Sequence, residues 1–224
     1  MSQSLKNQTA LITGSGRGIG KAIALAFANE GANLILVART ESQLRDTERE
    51  IVEAGGRAAV VIADLTDKDQ VARMAEEVEQ QSEQIDILFN NAGGGIEKSH
   101  VADSDPDLWI LDVNVNLATA YLVTHAILPM MMARGGKIIN TGSGMGHSPG
   151  PGSSAYHVGK AGMWMLTQCL AEEVWEHGIT VNELIPGPVA TDLTAGRMTV
   201  GGPPPFAPSE YVKGPEDVVS LAMW

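Results

Sequence analysis

The sequence predicts a doubly wound α/β fold, in which helices cover both faces of an open parallel sheet. Short apolar runs alternate with longer amphipathic runs along most of the 224 residues. The apolar runs lack a clean two-residue alternation, which indicates strands that are buried on both faces. The runs between them are long enough to be crossover helices, and right-handed crossovers give a parallel sheet. We predict a single domain over residues 1–224, because no repeat or linker divides the chain.

The first half of the chain predicts three strand–helix units. Gly31 ends the first helix, and Gly55 and Gly56 end the second, because glycine readily adopts the left-handed conformation that closes a helix. The strands are predicted at 10–12, 33–37 and 58–62, and the helices at 18–30, 41–54 and 68–82.

The second half predicts three more strands and two longer helices. Asp105 and Pro106 form a good N-cap and first-turn pair for the first of these helices, and Gly135 and Gly136 end it. The strands are predicted at 85–89, 137–141 and 180–185, and the helices at 106–134 and 154–177.

The segment near the C-terminus departs from this alternation. The prolines and glycines between Thr191 and Pro208 exclude a continuous helix and a central strand. We predict a mobile substrate flap over about 191–210, because a helix start at Gly214 follows it. A disordered tail is the alternative.

Charge and composition exclude several classes of protein. The net charge of −12 repels phosphate backbones and anionic membranes, so we expect neither a nucleic-acid nor a membrane partner. The single cysteine, Cys169, excludes an internal disulfide framework, and His100, His125, His157 and His177 show no metal-ligand spacing. We therefore expect no catalytic metal. His147, between Ser143 and Tyr156, is either a substrate contact or an exposed loop histidine. The lack of a secretory signal pattern and of an apolar run near about 18 residues predicts a soluble, cytoplasmic protein.

The first strand leads into a glycine-rich turn that is typical of dinucleotide binding. The turn reads T-G-S-G-R-G-I-G over residues 13–20. Glycines let the backbone approach a pyrophosphate, and the next helix offers unpaired N–H groups and its positive dipole end. The position after the first strand of a βαβ unit makes a dinucleotide the expected ligand. The candidate contacts are Gly14, Ser15, Arg17, Gly18, Ile19 and Gly20.

The end of the second predicted strand favours NADP over NAD. An acidic residue at this place binds the ribose hydroxyls of NAD, whereas this chain has Ala38 followed by Arg39. Arg39 and Arg17 could pair with a 2′-phosphate, which a carboxylate would repel. NAD remains possible, because Arg39 has an alternative explanation as a solvated residue at a strand end.

Two further strand ends contribute to the predicted cofactor site. Asp64 is placed to accept a hydrogen bond from the adenine amino group and Leu65 to pack on the ring, although Asp64 or Asp67 could instead cap a helix. Asn91, Ala92 and Gly93 follow the fourth strand, where an open sheet has its ligand crevice. They leave room for a ribose, and a simple Asx turn is the alternative.

Tyr156 and Lys160 share one face of a helix, because four residues separate them. A phenol with a pKa near about 10 is a poor acid–base group at neutral pH, and a neighbouring ammonium lowers that pKa. Ser143 comes just after the fifth strand, so the intervening loop can fold back and bring its hydroxyl beside Tyr156. The two hydroxyls would then hydrogen-bond one carbonyl oxygen.

The order of these motifs resembles the short-chain dehydrogenase/reductase family. The motifs TGSGRGIG, DL, NNAG, a helix asparagine, a serine, YHVGK and PGPVAT follow the family from about residue 6 to 192. The resemblance implies a Rossmann fold with strand order 3-2-1-4-5-6, NAD(P)-dependent oxidoreduction of a carbonyl or secondary alcohol, and a homodimer or homotetramer. Family members usually continue to a seventh strand, which is expected to be missing because this chain stops at Trp224.

The resemblance also implies roles for individual residues. Tyr156 is the proton donor or acceptor, Lys160 lowers its pKa and holds the nicotinamide ribose, and Ser143 steadies the substrate oxygen. The helix asparagine corresponds to Asn116, which would hold a relay water, and not to its neighbour Asn114. The nicotinamide contacts are Pro186, Gly187, Val189 and Thr191.

These observations predict an NADP-dependent oxidoreductase for a small carbonyl or alcohol substrate. Hydride passes from the nicotinamide to a ketone, or back from the matching secondary alcohol, with Tyr156 as the general acid or base. The alternatives are an NAD-linked sugar or polyol dehydrogenase, a 3-oxoacyl-carrier-protein reductase resembling the NADP-preferring members, and a non-catalytic dinucleotide-binding chain.

Overall fold

A six-stranded parallel sheet forms the centre of the computed structural model, which describes residues 3–191, 194, 198–202, 204 and 212–223. The strand order is β3-β2-β1-β4-β5-β6, so the predicted fold class and strand order are confirmed. The strands are β1 Thr9–Thr13, β2 Asn33–Ala38, β3 Arg57–Ile62, β4 Ile87–Asn90, β5 Gly136–Thr141 and β6 Ile179–Leu184.

The helices follow the predicted crossovers closely. The helix predicted over 106–134 runs without a break from Pro106 to Met132, but its middle, Asn114–Ala118, is a π-helical turn. The helix predicted over 154–177 ends in a 3-10 turn, Trp175–His177, before Gly178. The helices are α1 Gly18–Asn29, α2 Glu41–Glu53, α3 Lys68–Gln81, α4 Pro106–Val113, α5 Thr119–Met132, α6 Ser154–Val174 and α7 Val219–Ala222.

The central strands are buried on both faces, as their apolar runs predicted. All four residues of β4 are buried. Leu88 belongs to the core beneath α3, α5 and α6, together with Val123 and Ile127. Phe89 points to the opposite face and meets Phe27 of α1 edge-to-face, with ring centroids 6.4 Å apart. The sheet is therefore held by two separate apolar cores.

A chain of hydrogen-bonded polar side chains connects the carboxyl ends of β4 and β5 to the helices α5 and α6. Asn90 of β4 donates hydrogen bonds to Asn140 of β5 and to Thr124 of α5, each at 2.9 Å. Asn140 in turn donates to Thr167 of α6 at 2.9 Å. Because buried amides cost free energy unless they are paired, this chain of bonds fixes α5 and α6 against the strand ends.

Within the described residues the sheet has six strands, and Val189 adds only an isolated bridge to Lys213. The flap predicted over 191–210 lies largely outside the described residues. Among the described residues one helix, Pro106–Met132, contains an 18-residue window with a mean hydropathy of 1.4, so it could cross a membrane by length and composition, which the sequence analysis did not anticipate. Polar residues interrupt the apolar residues of this helix, so no continuous apolar run is visible in the sequence. The helix buries Val123, Ile127 and Met131 against the sheet.

The N-cap of α4 supplies a test of local stability. The Asp105 carboxylate accepts hydrogen bonds from Asp107 N at 2.8 Å and Leu108 N at 3.2 Å. We expect Asp105→Ala to lower the free energy of unfolding by about 1 kcal/mol, because it leaves two helix N–H groups without this acceptor. Chemical denaturation measures the change. Asp103→Ala, in the preceding turn, is the control, and equal losses in both variants would contradict the capping role.

Candidate active site

A cavity of about 1050 Å³ opens along the carboxyl edge of the sheet, between the loops that follow all six strands. Parallel strands end at one edge, so the motifs dispersed through the sequence meet there. The predicted residues that line the cavity are Gly14, Arg17, Gly18, Ile19, Arg39, Asp64, Leu65, Asn91, Ala92, Gly93, Ser143, Tyr156, Lys160, Pro186, Gly187, Val189 and Thr191.

The glycine-rich turn at one end of the cavity is held tightly against β4. Gly14 and Gly18 have φ angles of +64° and +56°, which disfavour residues with a side chain. A Cβ on Gly20 would collide with the Gly14 carbonyl oxygen. The Asn91 amide donates to the carbonyls of Thr13 and Gly14 at 3.2 and 3.3 Å. The turn therefore presents bare backbone at the start of α1, which suits a dinucleotide pyrophosphate.

Ser15 and Gly20 lie behind the cavity wall instead of lining it. The Ser15 side chain is completely buried, and its carbonyl accepts a hydrogen bond from Thr47 of α2 at 3.2 Å. Close packing of the turn on α2 turns this residue inward. Their contact with the cofactor stays a prediction, and neither residue is on the cavity surface.

Arg39 and Asp64 meet beside the glycine-rich turn, where Arg39 Nη1 lies 3.7 Å from Asp64 Oδ2. Burial raises the pKa of Asp64, but hydrogen bonds from Thr66 and the Arg39 guanidinium outweigh it and leave that pKa lowered. Asp64 does not cap α3, since Asp67 accepts from the backbone N–H groups of Asp69 and Gln70. Arg39 itself is 72% exposed.

Ser143, Tyr156 and Lys160 converge at the other end of the cavity. Ser143 begins the short 3-10 turn Gly144–Gly146, and Tyr156 lies in the first turn of α6. The Lys160 ammonium lies 5.8 Å from the centre of the Tyr156 ring, and it donates a 2.7 Å hydrogen bond to the carbonyl of Thr141. The predicted shared helix face is present.

Burial is the largest influence on the pKa values of Tyr156 and Lys160. It raises the pKa of Tyr156, which the hydrogen bond with Ser143 partly offsets and the charge of Asp112 reinforces. Burial also lowers the pKa of Lys160 to about 8, against the opposing charges of Glu183 and Asp112. Burial thus sets the direction of the Tyr156 shift, and the lowering of that pKa by Lys160 stays a prediction. The phenol is therefore protonated at neutral pH.

Asn116 is completely buried and lies in the π-helical turn, behind Gly93. A Cβ on Gly93 would lie 2.9 Å from Asn116 Oδ1 and 3.4 Å from Lys160 Nζ, so the glycine lets both groups approach one point. Asn114 is exposed, as expected of a helix-surface amide. π-Turns are frequent at functional sites because they re-aim side chains.

The sequence interpretation overlooked two buried carboxylates beside these residues. Asp112 of α4 is bonded to Asn116, and Glu183 of β6 lies 2.8 Å from His147 Nε2. His147 itself does not line the cavity. A charged residue inside the apolar sequence W-I-L-D-V was an available signal for Asp112, since a buried carboxylate requires partners.

Comparisons with known proteins agree with this arrangement. The family model described as short chain dehydrogenase matches residues 8–199. The 3-oxoacyl-(acyl-carrier-protein) reductase FabG of Haemophilus influenzae is 36% identical over 191 residues, covering 85% of this chain and 77% of that protein. The oxidoreductase YxbG of Bacillus subtilis is 37% identical over 189 residues, which cover 84% and 69% respectively.

The chain belongs to the short-chain dehydrogenase/reductase family. A solved relative, described as a candidate NAD(P)-dependent gluconate 5-dehydrogenase from Beutenbergia cavernae with NADP bound at low occupancy, superposes with a TM-score of 0.87. It is 32% identical, and the match covers 99% of this chain and 90% of that one. Short-chain dehydrogenases are NAD(P)-dependent oxidoreductases, so the predicted enzyme class is confirmed.

Gly20→Ala tests whether the closed glycine-rich turn is needed for dinucleotide binding. The new methyl group meets the Gly14 carbonyl and the Asn91 amide, so the turn must shift. We expect the Kd for NADPH to rise about tenfold or more, measured by the fluorescence of the bound dihydronicotinamide. Gly144→Ala is the control, since a Cβ there meets nothing within 4 Å. Unchanged affinity in Gly20→Ala would contradict the steric argument.

Proposed function

We propose that this short-chain dehydrogenase is an NADP-dependent oxidoreductase that interconverts a ketone and its secondary alcohol, with Tyr156 as the general acid and base. One observation carries the proposal. Ser143, Tyr156 and Lys160 line the same cavity as the glycine-rich turn, so a dinucleotide extended from that turn would reach them. The backbone cradle at Gly14, Gly18 and Gly20 fits such a cofactor. When bound, NAD(P) supplies or accepts the hydride.

Tyr156 would move the proton of the reaction. Its raised pKa keeps the phenol protonated at neutral pH, so it can donate to the oxygen of a bound ketone. Ser143 offers a second hydroxyl to that oxygen, and two hydrogen bonds stabilise the charge that develops there. The Lys160 ammonium, oriented by Thr141, would stabilise the phenolate that remains. In the oxidative direction the same groups act in reverse.

Two arginines support a preference for NADP. Arg17 and Arg39 line the cavity near the turn, where a 2′-phosphate would lie beyond the end of β2. The adjacent Asp64 carboxylate lies 3.7 Å from the Arg39 guanidinium, which offsets its charge, and it accepts hydrogen bonds from Thr66. A guanidinium with 72% of its side chain exposed is free to turn towards a phosphate.

We also propose a homodimer or homotetramer that acts on a small molecule. Exposed apolar residues lie on two long helical segments: Leu108, Ile110 and Leu111 on α4, and Trp164 and Met165 on α6. Burial of such residues against a second copy would remove them from water. A cytoplasmic location and a single domain with a substrate flap remain predictions.

Tyr156→Phe tests the chemical role directly. We expect turnover to fall about 100-fold or more while the Kd for NADPH stays within about threefold, because only the proton donor is removed. The assay follows the reduced-nicotinamide absorbance over a panel of ketones and alcohols. Tyr121→Phe is the control, since Tyr121 lies exposed on α5. Full activity in Tyr156→Phe would refute the assignment, and cofactor binding without turnover in the unaltered chain would favour a non-catalytic protein.

Arg39→Asp tests the coenzyme preference. An aspartate at the end of β2 can bind ribose hydroxyls but repels a 2′-phosphate, so the ratio of kcat/KM for NADPH to that for NADH should invert. Arg49→Asp, on the exposed face of α2, controls for the general change in charge. A ratio that is the same in both variants would show that Arg39 does not select the coenzyme. An unaltered chain that prefers NADH would instead support the NAD-linked alternative.

A further inference from the structure

Asp112 is a completely buried carboxylate that the proposed chemistry does not use. It lies in α4, one turn before Asn116. No lysine, arginine or histidine among the described residues forms an ion pair with it. A carboxylate removed from water without a cation destabilises the fold unless hydrogen bonds satisfy it.

Three N–H groups satisfy this carboxylate. Oδ2 accepts hydrogen bonds from the backbone N–H groups of Ile96 and Glu97, at 2.8 and 2.9 Å. Oδ1 accepts one from the side-chain amide of Asn116 at 2.7 Å. The first two bonds hold the loop after β4, where Gly94, Gly95 and Glu97 line the cavity. One side chain thus joins that loop to the π-helical turn.

An ionised carboxylate only accepts hydrogen bonds, so it decides which way the Asn116 amide faces. Nδ2 must point at Asp112, and it also donates to the carbonyl of Gly94. Oδ1 is left to face the backbone N–H of Gly94 at 3.2 Å and the gap above Gly93, near Lys160. A neutral amide at position 112 would permit the opposite orientation.

We propose that Asp112 is a positioning residue of this active site: its carboxylate fixes the amide orientation of Asn116 and anchors the loop over residues 94–97 beside Tyr156 and Lys160. The inference rests on the proposed function. Asp112 touches neither the cavity surface nor the reacting groups, and it acts through Asn116 and the loop.

The negative charge of Asp112 also reaches the groups of α6. It favours the protonated forms of Tyr156 and Lys160 and so raises the pKa of each. The other charged group that acts on Lys160 is Glu183 from β6. The Glu97 carboxylate, on the anchored loop, is turned away to the backbone N–H of Ser99.

Asp112→Asn removes the charge and nearly preserves the shape. The new side-chain NH2 group must face an N–H group that itself donates a hydrogen bond. Either the Asn116 amide flips, or the loop over residues 94–97 loses a hydrogen bond to position 112. We expect kcat to fall about tenfold or more while the Kd for NADPH stays within about threefold. The matched control is Asp105→Asn, which removes a charge from the same helix and keeps an N-cap residue; it should alter neither value.

The pH profile separates this role from a merely structural one. Loss of the charge lowers the pKa of Tyr156 and Lys160, so the alkaline limb of ketone reduction moves to lower pH. The acid limb of alcohol oxidation moves the same way, because phenolate forms at lower pH. Asp105→Asn should move neither limb. An unmoved profile in Asp112→Asn together with an unchanged kcat would overturn the proposal.

A double-mutant cycle with Asn116→Ala tests the route of the effect. If Asp112 acts through Asn116, Asp112→Asn costs little further activity once Asn116 is gone. Losses that multiply independently in the double variant would overturn the coupling. Should Asp112→Asn fold poorly, Asp112→Ser removes the same charge with less bulk, and the same shift to lower pH is expected.

A final measurement does not depend on turnover. Near-ultraviolet absorbance follows phenol ionisation, and subtracting the titration of Tyr156→Phe isolates Tyr156 from the other two tyrosines. Asp112→Asn should form the Tyr156 phenolate at lower pH than the unaltered chain does. Failure of the proposed function would appear as an unaltered chain without turnover that still shows this shift. An identical Tyr156 titration in both proteins would overturn the electrostatic part of the inference.

Discussion

The hydrogen bonds between the ends of β1 and β4 are the constraint on which the site depends. Thr13 Oγ1 accepts from the backbone N–H groups of Asn91 and Ala92, and the Asn91 side chain returns two bonds to the carbonyls of Thr13 and Gly14. These contacts close the gap between the two strands from which the crossovers diverge in opposite directions. The glycine-rich turn and the floor of the crevice therefore move as one unit.

Burial and charge oppose each other at the far end of the cavity. Lys160 is nearly inaccessible to water, and desolvation alone would favour its neutral form. Asp112 and Glu183 approach from α4 and β6 and restore part of its basicity without bonding to it directly. The pKa of Lys160 therefore stays close to neutral pH, at about 8, and the hydrogen bond to the Thr141 carbonyl holds the Lys160 ammonium in place. Catalytic groups commonly occur in such balanced surroundings.

The sequence was sufficient for the architecture and for most of the cavity wall. Apolar runs without alternation identified the strands, and glycines and the Asp105 N-cap located helix ends within a few residues, because these signals are local. The misplaced details depend on tertiary packing. The Ser15 side chain is buried behind the cavity wall, which no local pattern reveals, and its contact with the cofactor stays a prediction. The raised pKa of Tyr156 likewise depends on how deeply the start of α6 is buried. The hydrogen bonds of Asp112 join α4 to the loop after β4, 16 residues earlier in the sequence.

The widened turn at Asn114–Ala118 divides one continuous helix into two differently phased parts. After this turn, Val123, Ile127 and Met131 recur every four residues on one face of α5 and pack into the core against the sheet. Upstream, the only buried residue of α4 is Asp112, which serves the neighbouring loop. An extra residue in a turn absorbs a rotational offset that an unbroken α-helix would transmit along its length. Changes in α4 and in the loop over residues 94–97 can therefore be accommodated without shifting the helical register of the core residues in α5.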